Sequence, residues 1–374
     1  MEPRAIFLCR TLKNTVTGDT SNHIYDLVSS PLTLNPKFIA TQEGGGNMLF
    51  EEIVAVPYEE VLPPLYLKRL LQLKPNSNQV SLSTFIETFI KTMTSYIEKA
   101  WQPNKFNVVL HSGGWDSRIL SAILRRIYMK REANFGKILF ACYGEECSVL
   151  PKIMEVEGWS RSQYVSIPMD DKYFSHHFDF QKAWRFLNGP SPYPVNNLFW
   201  TYEFLSSHGR IPRDPRKIQF WSAVYFNEVF LHLHSKNPNP VEFFINKYYN
   251  FWATNLISGL PFVFAEPVLN YNTLKCIVES QVDLPKDIRA RIMRKINPEL
   301  CKVPRKTNPI NIVIPLKHRL KIEKDYALSW YGKNINPDIK RDMRLVHSHW
   351  WSAWSSASII EYLLKRGIKI TRPS

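Results

Sequence analysis

The spacing of apolar and polar positions changes along the chain, and the changes mark its elements. Phe106–Leu110 (FNVVL) is an apolar run too short for a helix, which predicts a buried strand. Ile119, Leu120, Ala122, Ile123 and Leu124 follow as the apolar set of a helix that starts near Asp116. Upstream, Phe85, Phe89, Met93, Tyr96 and Ile97 recur at three- and four-residue spacing. They predict a helix over Ser81–Trp101, broken by Pro103 and Asn104. Lys137–Tyr143 (KILFACY) predicts a second strand, ended by Gly144. A short helix with Pro151 in its first turn runs to Glu157 and stops at Gly158. Gln163–Ile167 predicts a third strand. Strands that alternate with helices predict an α/β fold, a parallel sheet with helices on both faces. Ligands of such sheets bind beyond the carboxyl ends of the strands.

The flanks are less regular. Phe38–Thr41, the glycine run Gly44–Gly46 and Met48–Phe50 predict a hairpin, and Glu52–Val56 a further strand, hence a small β-rich N-terminal cap. Asn188–Pro194, with three prolines, is an exposed loop, and Asn196–Ser207 a helix with Leu198, Phe199, Tyr202 and Leu205 inward. Lys217 opens another strand, and Lys286–Ile296 is a basic helix. Near the end, His349–Trp354 with Ile359, Ile360, Leu363 and Leu364 forms an amphipathic helix. Its three tryptophans either pack against the rest or stack on bases.

The candidate chemistry lies between the first strand and its helix, in Ser112-Gly113-Gly114-Trp115-Asp116-Ser117. Two glycines allow a tight turn that brings N–H groups to a ligand, and the helix start adds its positive dipole end. Ser112 and Ser117 add hydroxyls. Asp116 would repel a bare phosphate, so its natural use is to hold Mg²⁺ against one.

This hexapeptide resembles the SGGxDS pyrophosphate loop of the ATP pyrophosphatase group. Residues 80–310 look most like the synthetase domain of asparagine synthetase, β-lactam synthetase and lasso-peptide cyclase. The resemblance implies an adenine nucleotide α-hydrolase-like fold that uses ATP and Mg²⁺. It implies cleavage of ATP between the α and β phosphates, adenylation of a carboxylate or carbonyl oxygen, and displacement of AMP by a nitrogen nucleophile. It assigns Ser112, Gly113, Gly114, Asp116 and Ser117 to the nucleotide, with Asp116 on the metal. Arg118 stands where many members have a second serine, and either supplies a cation to the phosphates or faces solvent. Tyr143 ends the strand on which adenine rests in the proteins this one resembles, and either stacks on the base or is core.

The family's SGEGxDE segment matches Ser222–Phe230 at Ser222, Glu228 and Phe230. It departs at Ala223, Val224, Tyr225 and Asn227. Asn227 replaces the metal-binding Asp with a neutral oxygen, and Glu228 is the residue placed to take over. Pro267–Asn270 resembles the PFLD segment, with Asn270 for the acid. Val303–Lys306 resembles the basic turn whose lysine steadies pyrophosphate and adenylate. Lys306 is the catalytic candidate there and Arg305 the second cation, against the alternative of ordinary charges in a basic tail. The departures leave another reading open: an altered synthetase-like scaffold that binds nucleotide, nucleic acid or protein.

The family's glutaminase domain uses an N-terminal cysteine, whereas here position 2 is Glu2 and Cys9 is internal, so no ammonia-producing site is expected. The expected organisation is a cap over 1–78, the synthetase-like domain over 79–310 and a basic helical extension over 311–374.

Charge adds one further expectation. The net charge is +15, and from Pro285 onward 20 Lys and Arg face 7 Asp and Glu, so most of the excess lies in the last quarter. That predicts either a polyanion partner, with DNA or RNA carrying the acceptor, or a solvated basic surface. The five cysteines are scattered without a CxxC pair, which predicts reduced thiols in a cytoplasmic protein. Thiolation enzymes that share the SGGxDS loop often carry paired cysteines, so the resemblance counts against sulfur transfer here. No apolar run approaches the ~20 residues needed to span a bilayer.

Overall fold

The computed structural model describes residues 7–10, 15–18, 24–28, 31–41, 49–55, 64–74, 80–131, 135–143, 147–168, 170–177, 179, 182, 196–223, 229–230, 241, 262–280, 282–305, 315–335 and 348–372. Four short strands come first: β1 (Phe7–Arg10), β2 (Thr15–Gly18), β3 (Leu32–Thr33) and β4 (Ile53–Ala55). The central sheet follows with β5 (Phe106–Leu110), β6 (Lys137–Tyr143), β7 (Tyr164–Ile167), β8 (Ile218–Trp221) and β9 (Val263–Ala265). Its order is β7-β6-β5-β8-β9, and each neighbouring pair is parallel. The winding reverses between β5 and β8, and sheets of this kind bind ligands beyond the carboxyl ends of the strands at such a point.

Both faces of the sheet are covered, and the strand sequences explain how. Successive side chains point to opposite faces. Val109, Phe140, Cys142 and Trp221 enter one core with the helices Leu82–Ala100, Trp115–Arg131, Tyr271–Glu279 and Ile288–Ile296. Val108, Leu139, Ala141 and Phe220 enter the other, with Asn196–Ser207 and Ser348–Lys365. The near-continuous apolar strands are what a sheet buried on two sides requires.

The second core also takes in Tyr25, Leu32, Leu34, Phe50 and Ile53 from the N-terminal part. There β1 pairs antiparallel with β2 and β4. A last strand, β10 (Ile370–Thr371), pairs parallel with β3. Arg366 donates to the carbonyls of Tyr25 and Asp26, and Tyr362 donates to the Asp26 carboxylate. The two ends of the chain therefore share one layer on the sheet.

The predicted strands and helices recur with small shifts at their ends, but the predicted hairpin does not. Pro36–Thr41 is a helix. Asn35 precedes it and accepts from the Lys37 N–H, so Pro36 occupies the first helical position, where its missing N–H costs nothing. Gly144–Glu146, Asn188–Pro194, Val224–Glu228 and Lys306 lie outside the described residues. Among the described residues no helix is long and apolar enough to cross a membrane.

Candidate active site

Ser112–Ser117 sits at the carboxyl end of β5, the central strand, where the Trp115–Arg131 helix begins. Gly113 adopts φ +68°, a left-handed backbone that favours glycine. Both of its backbone polar groups are held from below. Its N–H donates to His111 Nδ1 at 3.1 Å, and its carbonyl accepts from Arg118 Nε at 3.1 Å. The Gly114 N–H donates to Ser112 Oγ at 3.3 Å. Ser117 is buried and turns its hydroxyl inward to the Gly114 carbonyl, whereas Ser112 is exposed at the mouth. The sequence reading has N–H groups of the turn brought to a ligand; in this conformation the two glycine N–H groups are engaged within the chain, and Ser112 is the loop's exposed residue.

Arg118 corrects the sequence reading more strongly. It neither contacts the crevice nor faces solvent; it is fully buried. Besides Gly113 it donates to the carbonyls of Leu300 at 2.8 Å, Val303 at 2.7 Å and Pro304 at 2.8 Å. Burial, and next the Arg305 charge, lower its pKa to about 10, so the guanidinium stays charged at neutral pH. The loop helix is thereby tied to the basic turn, and Arg305 is brought near the loop. Its Cζ lies 5.9 Å from the Trp115 ring centroid, and the Arg118 Cζ lies 5.4 Å from it.

A polar chain runs beneath the loop. His111 is buried, and burial, reinforced by Arg118, pushes its pKa down to about 3. Its neutral ring accepts from Gly113 through Nδ1, so the proton sits on Nε2, which faces Ser121 Oγ at 3.3 Å. Ser121 donates to Glu157 Oε1 at 2.6 Å, and Trp159 Nε1 donates to Glu157 Oε2 at 2.7 Å. Burial pushes the Glu157 carboxyl up to about 8 against those two hydrogen bonds and the charges of Arg118 and Arg125. Sequence reasoning missed His111 and Glu157 as site residues. The one available signal was a histidine directly after an apolar strand and before the glycines.

Asp116 is also engaged. Its carboxylate lies 3.0 and 3.3 Å from Arg289 Nη1, and both side chains are largely covered. Among the described residues no group of three or more His, Cys, Asp and Glu is arranged to hold a metal. One carboxylate beside an exposed hydroxyl fits a Mg²⁺ ion carried on a nucleotide, whose phosphates and waters fill the other positions. Tyr143 is half-buried at the end of β6, in register with Ile167, and packs against the second core.

The remaining expected residues divide. Ser222 and Ala223 are buried just past β8, the Ser222 N–H donating to the Ala265 carbonyl. Phe230 is core, its ring 5.4 Å from that of Phe89. Asn270 caps the Tyr271–Glu279 helix, accepting from the Thr273 N–H at 3.1 Å, so a structural duty accounts for it. Asn227, Glu228 and Lys306 fall outside the described residues. The basic helix is locally neutralised: Arg291 and Arg294 face Asp287, and Lys295 faces Glu87.

No family model and no curated protein sequence matches the chain. Among solved structures it is similar to the U34-tRNA thiolase NcsA from Methanococcus maripaludis, described with its 4Fe-4S cluster. Identity is 14%, coverage is 79% of this chain and 87% of that one, and the TM-score is 0.35. A likeness of that degree carries no argument about function. The fold is read from the sheet order and from the two cores.

Proposed function

We propose that the protein is an ATP-dependent, AMP-forming ligase that activates a carboxylate or carbonyl oxygen and passes it to a nitrogen nucleophile. The observation that carries this reading is the place of Ser112–Ser117: a complete SGGxDS hexapeptide, with left-handed Gly113, on the central strand of a parallel sheet beside the winding reversal. Nucleotide phosphates would meet the helix start, the Ser112 hydroxyl and the Arg305 guanidinium. Asp116 would hold the Mg²⁺ that accompanies them, and that ion supplies charge neutralisation on the phosphates. Tyr143 borders the base end of the crevice. Lys306, adjacent to Arg305, is the candidate for steadying the leaving pyrophosphate, and Glu228 with Asn227 for completing the site from the β8 side. The protein's own contribution is positioning and electrostatics.

The acceptor is the least constrained part. The positive balance from Pro285 onward supports one carried on DNA or RNA. The carboxylates facing Arg289, Arg291, Arg294 and Lys295 reduce the field those four present, which supports a small amine instead. The dependence of DNA and RNA binding on salt separates the two, since several phosphate contacts give a steep, log-linear loss.

A non-catalytic scaffold is the rival reading. The occupied state of Asp116 and of the Gly113 N–H favours it, as do the departures at Ala223, Val224, Tyr225 and Asn227. Calorimetry with ATP·Mg²⁺ on the wild type and on Asp116→Ala tests the ligase reading. Binding that depends on Asp116, with pyrophosphate release once a carboxylate and an amine are supplied, supports it. Equal and negligible binding by both proteins rejects it.

A further inference from the structure

We propose that Cys142 and Cys147 form an oxidation site: a dithiol beside the candidate loop that hydrogen peroxide converts reversibly into an intramolecular disulfide. The sequence shows no CxxC pair, but the fold makes a pair in space. Cys142 lies in β6 and is buried, Cys147 comes just after it and is half-buried, and their sulfurs are 3.5 Å apart. Both lie along the same neighbouring strand. Cys142 Sγ is 3.8 Å from the Val165 carbonyl and 3.6 Å from Ser166 Oγ, and Cys147 Sγ is 3.5 Å from the Ile167 carbonyl. A disulfide needs an S–S distance of about 2 Å, so the sulfurs must close by roughly 1.5 Å, within reach of side-chain rotation.

The difference in burial orders the chemistry. The Cys147 thiolate meets the peroxide first and attacks one of its oxygens. The O–O bond breaks, water leaves after protonation, and Cys147 becomes a sulfenic acid. The Cys142 thiolate then attacks that sulfur, the S–O bond breaks, and a second water leaves. Two thiols and one peroxide give one disulfide and two waters. Cys276 and Cys301 lie on other elements, in the Tyr271–Glu279 helix and the Pro298–Cys301 turn.

The pair is coupled to the loop through Val149, two residues beyond Cys147. A Cβ placed on Gly113 would meet Val149 Cβ at 3.5 Å, so the chain after Cys147 forms the floor under that glycine. Closing the disulfide is therefore expected to alter nucleotide affinity, and this second statement rests on the proposed function.

The test uses the full chain, reduced, cleared of reductant, exposed to hydrogen peroxide, alkylated with iodoacetamide and cut with trypsin. Lys137 and Lys152 bound one peptide, Ile138–Lys152, that carries both cysteines. The expected product is that peptide lighter by two hydrogens and without alkyl groups, with dithiothreitol restoring both alkylation sites. Cys276 should remain alkylated, and Cys142→Ser or Cys147→Ser should abolish the lighter species. Recovery of the doubly alkylated peptide, or of oxygenated Cys147 beside alkylated Cys142, overturns the proposal. Titration of reduced and oxidised protein with ATP·Mg²⁺ reads the coupling. Absence of binding in the reduced protein would reject the proposed function and leave the disulfide result standing. Binding that oxidation leaves unchanged would reject the coupling alone.

Discussion

Arg289 Nη1 lies 3.0 Å from Asp116 Oδ1, so the carboxylate assigned to a metal already faces a cation. The two residues are 173 positions apart, and the contact pins the basic helix onto the start of the loop helix. A divalent ion that arrives with a nucleotide has to exchange with this guanidinium.

The first prediction follows. Arg289→Gln should strengthen the Mg²⁺ dependence of nucleotide binding, because the competitor is gone. A largely covered pair of this kind is worth about 1 kcal/mol, or roughly fivefold in the apparent Mg²⁺ constant. Magnesium titration at fixed ATP measures it. Weaker binding in the variant would mean that Arg289 contacts the phosphates instead.

Arg118 should matter to stability more than to chemistry. Arg118→Met leaves the carbonyls of Gly113, Leu300, Val303 and Pro304 without this buried donor. Hydrogen bonds to a charged group are worth about 1.5–3 kcal/mol each before relaxation, so a loss of at least ~3 kcal/mol is expected. The urea midpoint reports it, and a midpoint equal to the wild type would show that the tether is dispensable.

His111 offers a finer dissection. In His111→Asn the Oδ1 atom replaces Nδ1 as acceptor for the Gly113 N–H, whereas His111→Leu removes every acceptor. The Asn variant should keep ATP·Mg²⁺ affinity, and the Leu variant should lose roughly tenfold, the effect of ~1.4 kcal/mol from an unsatisfied buried donor. Identical affinities in the two variants would rule out control of the loop through that hydrogen bond.

The buried acid and base make opposite pH predictions. The Glu157 carboxyl is raised from 4.5 to about 8, so its contribution is full below 4.5 and is lost as pH climbs toward 8. His111 is lowered from 6.5 to about 3, so its contribution is full above 6.5 and is lost as pH falls toward 3. Between 4.5 and 6.5 the two offset each other. From 6.5 to 8 only Glu157 acts, at up to about 1.4 kcal/mol per pH unit. Glu157→Gln should flatten that alkaline decline, whatever uniform cost the amide adds opposite Trp159. An unchanged slope between pH 6.5 and 8 would exclude Glu157 as its source.

What the sequence made legible was local. The strands at Phe106–Leu110 and Lys137–Tyr143, the helix that follows Ser81 and the stop at Gly158 are written in runs, spacings and breakers a few residues long. The Pro36–Thr41 helix was misread because a short apolar run outweighed the Asn35-Pro36 start signal. The hexapeptide was legible as a motif, but its wiring was not. The Arg118 acceptors Leu300, Val303 and Pro304 stand 182 to 186 residues away, and a single histidine at a strand end has no period to betray it. Cys142 and Cys147 are close in the sequence without forming a CxxC pair, and the fold brings their sulfurs to 3.5 Å.

The Arg118 tether also bears on how the protein is made. A ribosome emits the hexapeptide long before Leu300, Val303 and Pro304, and at ~5–20 residues per second that interval lasts on the order of ten seconds or more. During it the nascent chain holds the motif without the buried clamp that sets the Gly113 peptide. The loop is thus a late-maturing part of an early-made segment. Acquisition of nucleotide affinity by stalled chains of increasing length would report arrival of the Leu300–Pro304 turn, rather than exit of the motif from the tunnel.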